Sequence, residues 1–402
     1  MAVFPVKYVH SGMRGAPVVS GTPGSRIGAI DAFLLTGFGA VTAQRVTVAG
    51  GIATATLQAG QSFEPHTVIA VAGATPDALN GEARVLTATP SQITFATAAA
   101  DGPASGTITI KVAPVGHWTK VFAGTNKAVY RSTHPKASGF YLRVDDSAAT
   151  YMRVRGFESM NDIDNGTGPF PTDAQIAGSG YWLAAANPGT NAVNWDFAAD
   201  ARFFAAAWAP DAGKHLSAPL RGFGDLLPRA PAGDVWAVGL SCLSDANSNG
   251  IHTGGLSAPG GGTPGLGLYL PRSYTGQGSS HLSYTASYCG GGDISGDGGQ
   301  PLGPAPNPVD GSIEFCRLFA RAGAAHHFGP RADLPGVLYC PQGGLKDIFS
   351  PRDSVTGSGP LAGRRLVMSM FSIFGVSSGA MVLNDTPSEL LSLKLKSSRN
   401  SR

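Results

Sequence analysis

Four groups of residues carry side chains that could do chemistry. Asp145, Asp146, Asp162 and Asp164 are the densest carboxylates in the chain, and two carboxylates held close could cleave a glycoside or bind a hard cation. Nothing in the sequence places them about one cleft, and aspartate at a strand end ordinarily caps a turn through its side chain. Asp245-Ala246-Asn247-Ser248-Asn249-Gly250 matches the first half of a calcium loop, with oxygen donors at alternate positions and glycine at the sixth. The twelfth position is Leu256 where a bidentate glutamate is needed, so an Asn-Gly turn is expected there instead. His326-His327 is an adjacent imidazole pair, but neighbours on a strand point to opposite faces and do not readily share one metal ion. His10, His66, His117 and His134 are scattered. No serine is read as the centre of a Gly-x-Ser-x-Gly elbow between a strand and a helix, and pairs such as Ser11-Gly12 and Ser378-Gly379 read as turns. Gly260-Gly261-Gly262 lacks the lysine and the following helix of a phosphate-binding loop. Trp118, Trp182, Trp195, Trp208 and Trp236, with Tyr181 and Phe203, could offer sugar-stacking platforms, although such rings more often fill cores or subunit contacts. The expectation is a protein with no catalytic residue, no cofactor site and no metal site, and no enzyme.

The elements that would have to position such groups follow from composition and pattern. A chain of 402 residues is too long for one ordinary core and suits two or three domains. Charged residues make up 14% of it, against about 25% in an average globular protein, while apolar residues reach 43%. Such a surface is poorly solvated, and it points to a subunit whose outside is covered by other subunits. Glycine (56 residues) and proline (29) punctuate many turns, as short strands require. The net charge is +3, and no dense Lys/Arg run occurs outside the short stretch from Lys394 to Arg402. Nucleic-acid binding, which needs clustered cations, is therefore not expected. Cys242, Cys289, Cys316 and Cys340 form no Cys-x-x-Cys pair and are expected to be buried thiols made in a reducing cell. The start of the chain lacks the pattern of a secretory signal, and no run of about 18 apolar residues occurs, so synthesis in the cytosol without membrane insertion is expected.

Residues 1–25, with Pro5, Pro17 and Pro23, read as an extended arm. Its apolar residues Val3, Phe4, Val6, Tyr8 and Val9 would dock on a neighbour or on the chain's own body. From 26 to 114 the text alternates with period two. Arg45–Val48, Ala49-Gly50-Gly51 and Ile52–Leu57 read as strand, tight turn, strand, and the pattern returns at Thr67–Val71, Ala83–Thr87, Gln92–Phe95 and Gly106–Val112. This predicts a small sandwich or barrel of immunoglobulin-like size. Residues 115–387 read as a larger β-rich domain with a glycine-, serine- and proline-rich insertion at about 244–312, a short helix near Thr172–Ala177, and a polar tail at 388–402.

Within that larger domain, Thr119-Lys120-Val121-Phe122-Ala123-Gly124-Thr125-Asn126-Lys127-Ala128-Val129-Tyr130-Arg131-Ser132 opens a series of blocks. It continues through Phe140–Asp146 and Arg153–Pro171, then Phe223-Gly224-Asp225 with Ala232-Gly233-Asp234, and Asn307–Gly311 with Leu334–Tyr339. In order and approximate spacing these blocks resemble a family of tailed-bacteriophage virion structural proteins over roughly 115–385, while the stretch 250–300 matches it poorly. The resemblance implies a virion component associated with the tail, and it brings no reaction and no catalytic residues.

The expected function is therefore that of a viral structural protein, a tail or tail-tip subunit acting through packing. Its expected location is the virion, after synthesis in the bacterial host cytoplasm. Its expected partners are other virion proteins and copies of itself, with a host surface receptor as a further candidate. The alternatives are a receptor-binding tail part that holds a host glycan or protein through the 244–312 loops, and a capsid decoration protein. A polysaccharide- or wall-degrading enzyme resting on Asp162 and Asp164 is the remote third.

Overall fold

The computed structural model describes residues 6–185, 187–209, 220–230, 233–246, 256, 266–288, 303–323, 329–350, 352–362, 365–368 and 381–384. It is mainly β, with strand at 48% and helix at 6%, in curled antiparallel sheets.

The first sheet has eight strands, all between Phe38 and Val112, in the order Phe38–Thr42, Thr109–Val112, Val68–Ala72, Gly81–Thr89, Gln92–Ala96, Ile52–Thr56, Arg45–Ala49, Gly102–Pro103. The expected Gly-Gly hairpin is present: Ala49 pairs with Ile52, and Gly50 and Gly51 take φ of 57° and 76°. Those angles suit residues without a Cβ, and they match the twist of the flanking strands. The strand Gly81–Thr89 pairs with Val68–Ala72 through its first half and with Gln92–Ala96 through its second, with a register shift between Val85 and Thr87. A shift of this kind bends a strand, and here it folds the sheet over a core that includes Val46, Val48, Ile69, Val85, Ile93, Phe95 and Ile110.

The second sheet has twelve strands. Its main path runs Lys7–His10, Trp195–Ala199, Phe203–Trp208, Leu220–Asp225, Val238–Leu243, Gly180–Leu183, Tyr151–Phe157, Tyr141–Asp145, Lys127–Ser132, Trp118–Gly124, and Leu266–Leu270 and His281–Ser283 branch from Val238–Leu243. Trp195–Ala199 and Phe203–Trp208 are buried on both faces. Phe197, Phe204 and Trp208 pack into the core shared with the first sheet, while Ala198, Phe203 and Ala205 pack toward the third. That third sheet joins Thr285–Ser287, Cys316–Arg321, Pro330–Tyr339, Met381–Asn384, Arg365–Met368 and Ser354–Thr356, with Leu227–Pro228 paired to Pro330–Tyr339. Strands of the stretch expected to be a loop-rich insertion, Leu266–Leu270, His281–Ser283 and Thr285–Ser287, thus belong to two sheets.

The stretch 1–25 supplies a strand to the body of the chain: Lys7–His10 pairs with Trp195–Ala199, and Val6, Tyr8 and Val9 are buried. Fully buried Asp196 receives Arg352 Nε at 3.0 Å, and His10 meets Glu64 at 2.9 Å. After it comes a helix that the alternation did not announce, Ser25–Asp31, continuing as a π-helical turn Ala32–Thr36 and stopping at Gly37 with φ 69°. Ile27, Ile30, Phe33 and Leu34 form its buried stripe, and Phe33 stacks on Phe197 with ring centroids 5.1 Å apart. Its first turn is clamped by a buried ion pair. Arg26 and Asp146 are both 0% exposed and joined directly. Asp146 also accepts the N–H groups of Arg26 and Ile27, and the guanidinium donates to the carbonyls of Ala148, Ala149 and Ala184.

Two expectations need correction. Thr172–Ala177 is a turn, with Ile176 N–H donating to Thr172 C=O at 2.9 Å, and it does not propagate into a helix. Cys242 and Cys340 are buried free thiols, but Cys316 is disulfide-bonded, so the four cysteines are not all thiols. Cys289, and the tail at 388–402, lie outside the described residues. Among the described residues no helix is long and apolar enough to cross a membrane.

Candidate functional site

At its far end the large sheet changes character. The strands Tyr141–Asp145 and Tyr151–Phe157 alternate between buried and half-buried residues up to Arg155, and on the outward side of Lys127–Ser132 and Tyr151–Phe157 the residues Val129 and Phe157 are buried as well. Ala128, Tyr130, Leu142, Val144, Met152 and Val154 point into the core, so the remaining residues share the opposite face. Register arranges that outward face in rows across the strands. Lys127, Asp145, Arg153 and Tyr181 form one, Val129, Arg143 and Arg155 the next, and Arg131, Tyr141 and Phe157 a third.

The electrostatics of these rows explains the loops beside them. In the first row cation, anion and cation alternate, and Arg153 lies 3.8 Å over the Tyr181 ring while donating to Ala177 and Ser179 carbonyls. In the second, Arg143 and Arg155 stand directly opposite each other, and like charges in that position repel. The chain supplies counter-charges from the two loops that follow. Asp164 pairs with Arg143 and, at 2.9 Å, with Lys127, and Asp173 receives Arg155 at 2.7 Å. Bonds donated by Arg143 and Lys127 hold the Asp164 carboxyl below the usual carboxylate range, and the bond from Arg155 does the same for Asp173. Arg131 completes the third row by lying 5.2 Å over the Tyr141 ring and donating to its hydroxyl at 2.8 Å.

The loop bearing Asp164 is itself a small hairpin, Ser159–Met160 against Gly166–Thr167. Asp162 shapes its tip: one carboxylate oxygen accepts the N–H groups of Asp164 and Asn165, each at 2.8 Å, and the Asn165 side chain donates to the same carboxylate and lowers its pKa most. Met160 and Ile163 press on Val129, Phe157, Phe122 and Tyr141. Beside this face runs the last strand of the sheet, Trp118–Gly124, which has a register irregularity between Lys120 and Phe122 and leaves Val121 36% exposed.

Two of the four aspartates singled out in the sequence meet and two stand apart: Asp145, which also accepts the Ser147 N–H, shares Arg143 and Lys127 with Asp164, whereas Asp146 belongs to the buried clamp and Asp162 caps its turn. Of the tryptophans, Trp182, Trp195 and Trp208 are at most 1% exposed and Trp118 is 7% exposed. Trp236 stacks on Phe140 and carries Arg272 at 4.6 Å over its ring, while Arg272 makes a two-pronged bond to Glu158. None of the five offers a free face for a sugar. His10 pairs with Glu64, and His117 and His134 meet edge to face with centroids 5.3 Å apart. No group of three or more metal-ligating side chains occurs among the described residues. His326-His327, most of the calcium-like stretch (247–250), and Gly375-Val376-Ser377-Ser378-Gly379, whose letters fit the elbow pattern, lie outside the described residues. The sequence reading passed over Arg131, Arg143, Arg153 and Arg155. Their signal was present, because Arg143-x-Asp145 and Arg153-x-Arg155 repeat with period two, but it served only to mark strands.

Fold and site together define an antiparallel β protein that presents one half-buried arginine–tyrosine face with two loops pinned to it. No protein-family model matches the chain, and no curated protein matches it.

Proposed function

We propose that this chain is a structural component of a tailed-bacteriophage particle, a tail or tail-tip subunit that works through packing against copies of itself and other virion proteins. One observation carries the reading. The blocks Thr119–Ser132, Phe140–Asp146 and Arg153–Pro171, which resemble the virion family, fall on adjacent strands and build the arginine–tyrosine face with its pinned loops. Arginine and tyrosine are the residues that most often dominate binding energy at protein interfaces, because each offers a large flat contact and a polar tip. A chain that is only 14% charged supports the same reading, since a sparsely charged exterior favours burial between subunits.

The test is to purify particles produced by the genome that encodes the chain and to identify their proteins by mass spectrometry. The proposal expects the chain at a fixed stoichiometry, and its absence from infectious particles overturns it. Adsorption assays separate the receptor-binding alternative: an excess of the free protein leaves adsorption unchanged if the chain is a packing subunit and blocks it if the chain holds the receptor.

A further inference from the structure

The loop 133–139 joins Lys127–Ser132 to Tyr141–Asp145, at the end of the hairpin where Arg131 stands opposite Tyr141. It begins with a tight turn in which the Ala137 N–H donates to the His134 carbonyl at 2.9 Å, with Pro135 at the second position. The His134 ring closes that turn, because its Nδ1 accepts the Lys136 N–H at 3.2 Å. An imidazole nitrogen that accepts carries no proton, so the bond selects the neutral ring with its hydrogen on Nε2. Two residues after Lys136, Ser138 anchors the loop to the large sheet, donating its N–H to Asp225 at 3.0 Å and its hydroxyl at 2.5 Å. The anchored loop thereby forms one wall of a cavity of about 230 Å³ whose lining includes Arg202, Leu226 and Val238.

Four titratable or charged groups face His134. His117, just before the strand Trp118–Gly124, meets its ring edge to face with centroids 5.3 Å apart, and the His117 carbonyl accepts the Thr133 N–H at 2.7 Å. Arg202 comes from the turn before Phe203–Trp208, Lys136 from the loop itself and Asp225 from the end of Leu220–Asp225. A proton on Nδ1 of His134 therefore does two things. It removes the acceptor of the Lys136 N–H, and it sets a new charge against His117, Arg202 and Lys136. Burial, then His117 and the two cations, hold the His134 ring below the ordinary imidazole value of about 6.5. A lower value with the turn closed means that protons favour the open turn, so closure is favoured above about pH 6.5 and is lost as pH falls below it. Asp225 acts in the opposite sense, since burial raises its carboxyl and a proton there favours the covered state.

We propose that His134 is an acid-released latch: neutral, it holds the loop 133–139 against Asp225, and protonated, it frees the loop and opens the cavity beside the Arg131–Tyr141 end of the arginine–tyrosine face. The proposal does not rest on the virion reading, and its test uses the free full-length protein.

Hydrogen exchange of the peptide spanning 133–139 is followed at about pH 7.5 and about pH 5, on either side of the imidazole range, and corrected for intrinsic rates. Two variants accompany the natural chain. His134→Asn keeps a side-chain oxygen that can accept the Lys136 N–H but does not titrate, and His134→Ala has no acceptor. The natural chain is expected to lose protection at least about tenfold at the lower pH, His134→Asn to keep it at both, and His134→Ala to lack it at both. Amides of Ile52–Thr56, in the first sheet, stay slow throughout and show that the body of each variant remains folded. Protection in the natural chain that does not change with pH overturns the proposal. Equal loss in His134→Asn also overturns it, by assigning the acid response to His117 or Asp225, and so does full protection in His134→Ala at the higher pH.

Discussion

Replacing Asp146 by alanine removes the carboxylate at the centre of the helix clamp. The pair it forms with Arg26 is 0% exposed on both sides, so the guanidinium left behind keeps its charge in a dry site with only the carbonyls of Ala148, Ala149 and Ala184 as partners. Breaking one side of a buried pair costs about 3–5 kcal/mol, mostly through the uncompensated charge. Loss of the acceptor for the Arg26 and Ile27 N–H groups acts in the same direction. Asp164 supplies the contrast: its side chain is 49% exposed, and an ion pair at that exposure is worth about 0–1 kcal/mol. The assay is equilibrium urea unfolding followed by tryptophan fluorescence, because Trp182, Trp195 and Trp208 lie in the core of the large sheet onto which the clamp holds the helix. Asp146→Ala is expected to lose about 3–5 kcal/mol and Asp164→Ala about 1 kcal/mol or less. Asp146→Asn, which keeps an acceptor for the helix N–H groups but no charge, falls between them. Equal losses for Asp146→Ala and Asp164→Ala would refute the reasoning, since burial would then not decide the cost.

Three further outcomes follow from the same structure. A Cβ on Gly156 would stand 2.3 Å from ring atoms of fully buried Phe170, so Gly156→Ala costs about 1–3 kcal/mol by overpacking. Adding Phe170→Leu recovers part of that loss in the same urea assay, whereas additive losses would show that the two side chains do not compete for space. Asp164 and Asp173 have carboxyls held below their ordinary range, so they stabilise the folded chain above the unfolded pKa and lose that contribution as pH falls through the lower folded one. Amide exchange in residues 161–165 and 173–178 should therefore rise below about pH 4, after correction for intrinsic rates, and a flat profile would contradict the pairing. On the proposed packing role, Arg153→Ala, which removes the guanidinium stacked on Tyr181 and leaves the inward core residues in place, weakens self-association far more than folding, as read by sedimentation beside urea unfolding, and equal effects on both would count against that role.

The strands were legible wherever one face meets solvent, because burial then imposes period two on the text. Arg45–Ala49, Ile52–Thr56 and Gln92–Ala96 are of this kind, and so are Tyr141–Asp145 and Tyr151–Phe157. The helix Ser25–Asp31 was not legible although Ile27, Ile30 and Leu34 carry its period. It is short, it follows a stretch rich in proline and glycine, and much of its anchorage comes from Asp146, 120 residues away. The pairing of Lys7–His10 with Trp195–Ala199 was hidden for the same reason: a ladder between segments nearly 190 residues apart leaves no local mark. The role of Asp164 was out of reach because it depends on Arg143 and Arg155 coming to stand opposite each other, which only the register decides.

The central claim is that the arginine–tyrosine face is covered when the chain is at work. Hydroxyl-radical footprinting of purified particles beside the free protein tests it most directly, with Tyr141, Tyr151 and Tyr181 as the reporters. The account predicts that these tyrosines are labelled in the free protein and protected in the particle, while Tyr288, 37% exposed and bonded to Arg317 and Asp333 of the third sheet, serves as the internal comparison. Equal labelling of the three tyrosines in both states, or particles that do not contain the chain, would contradict it.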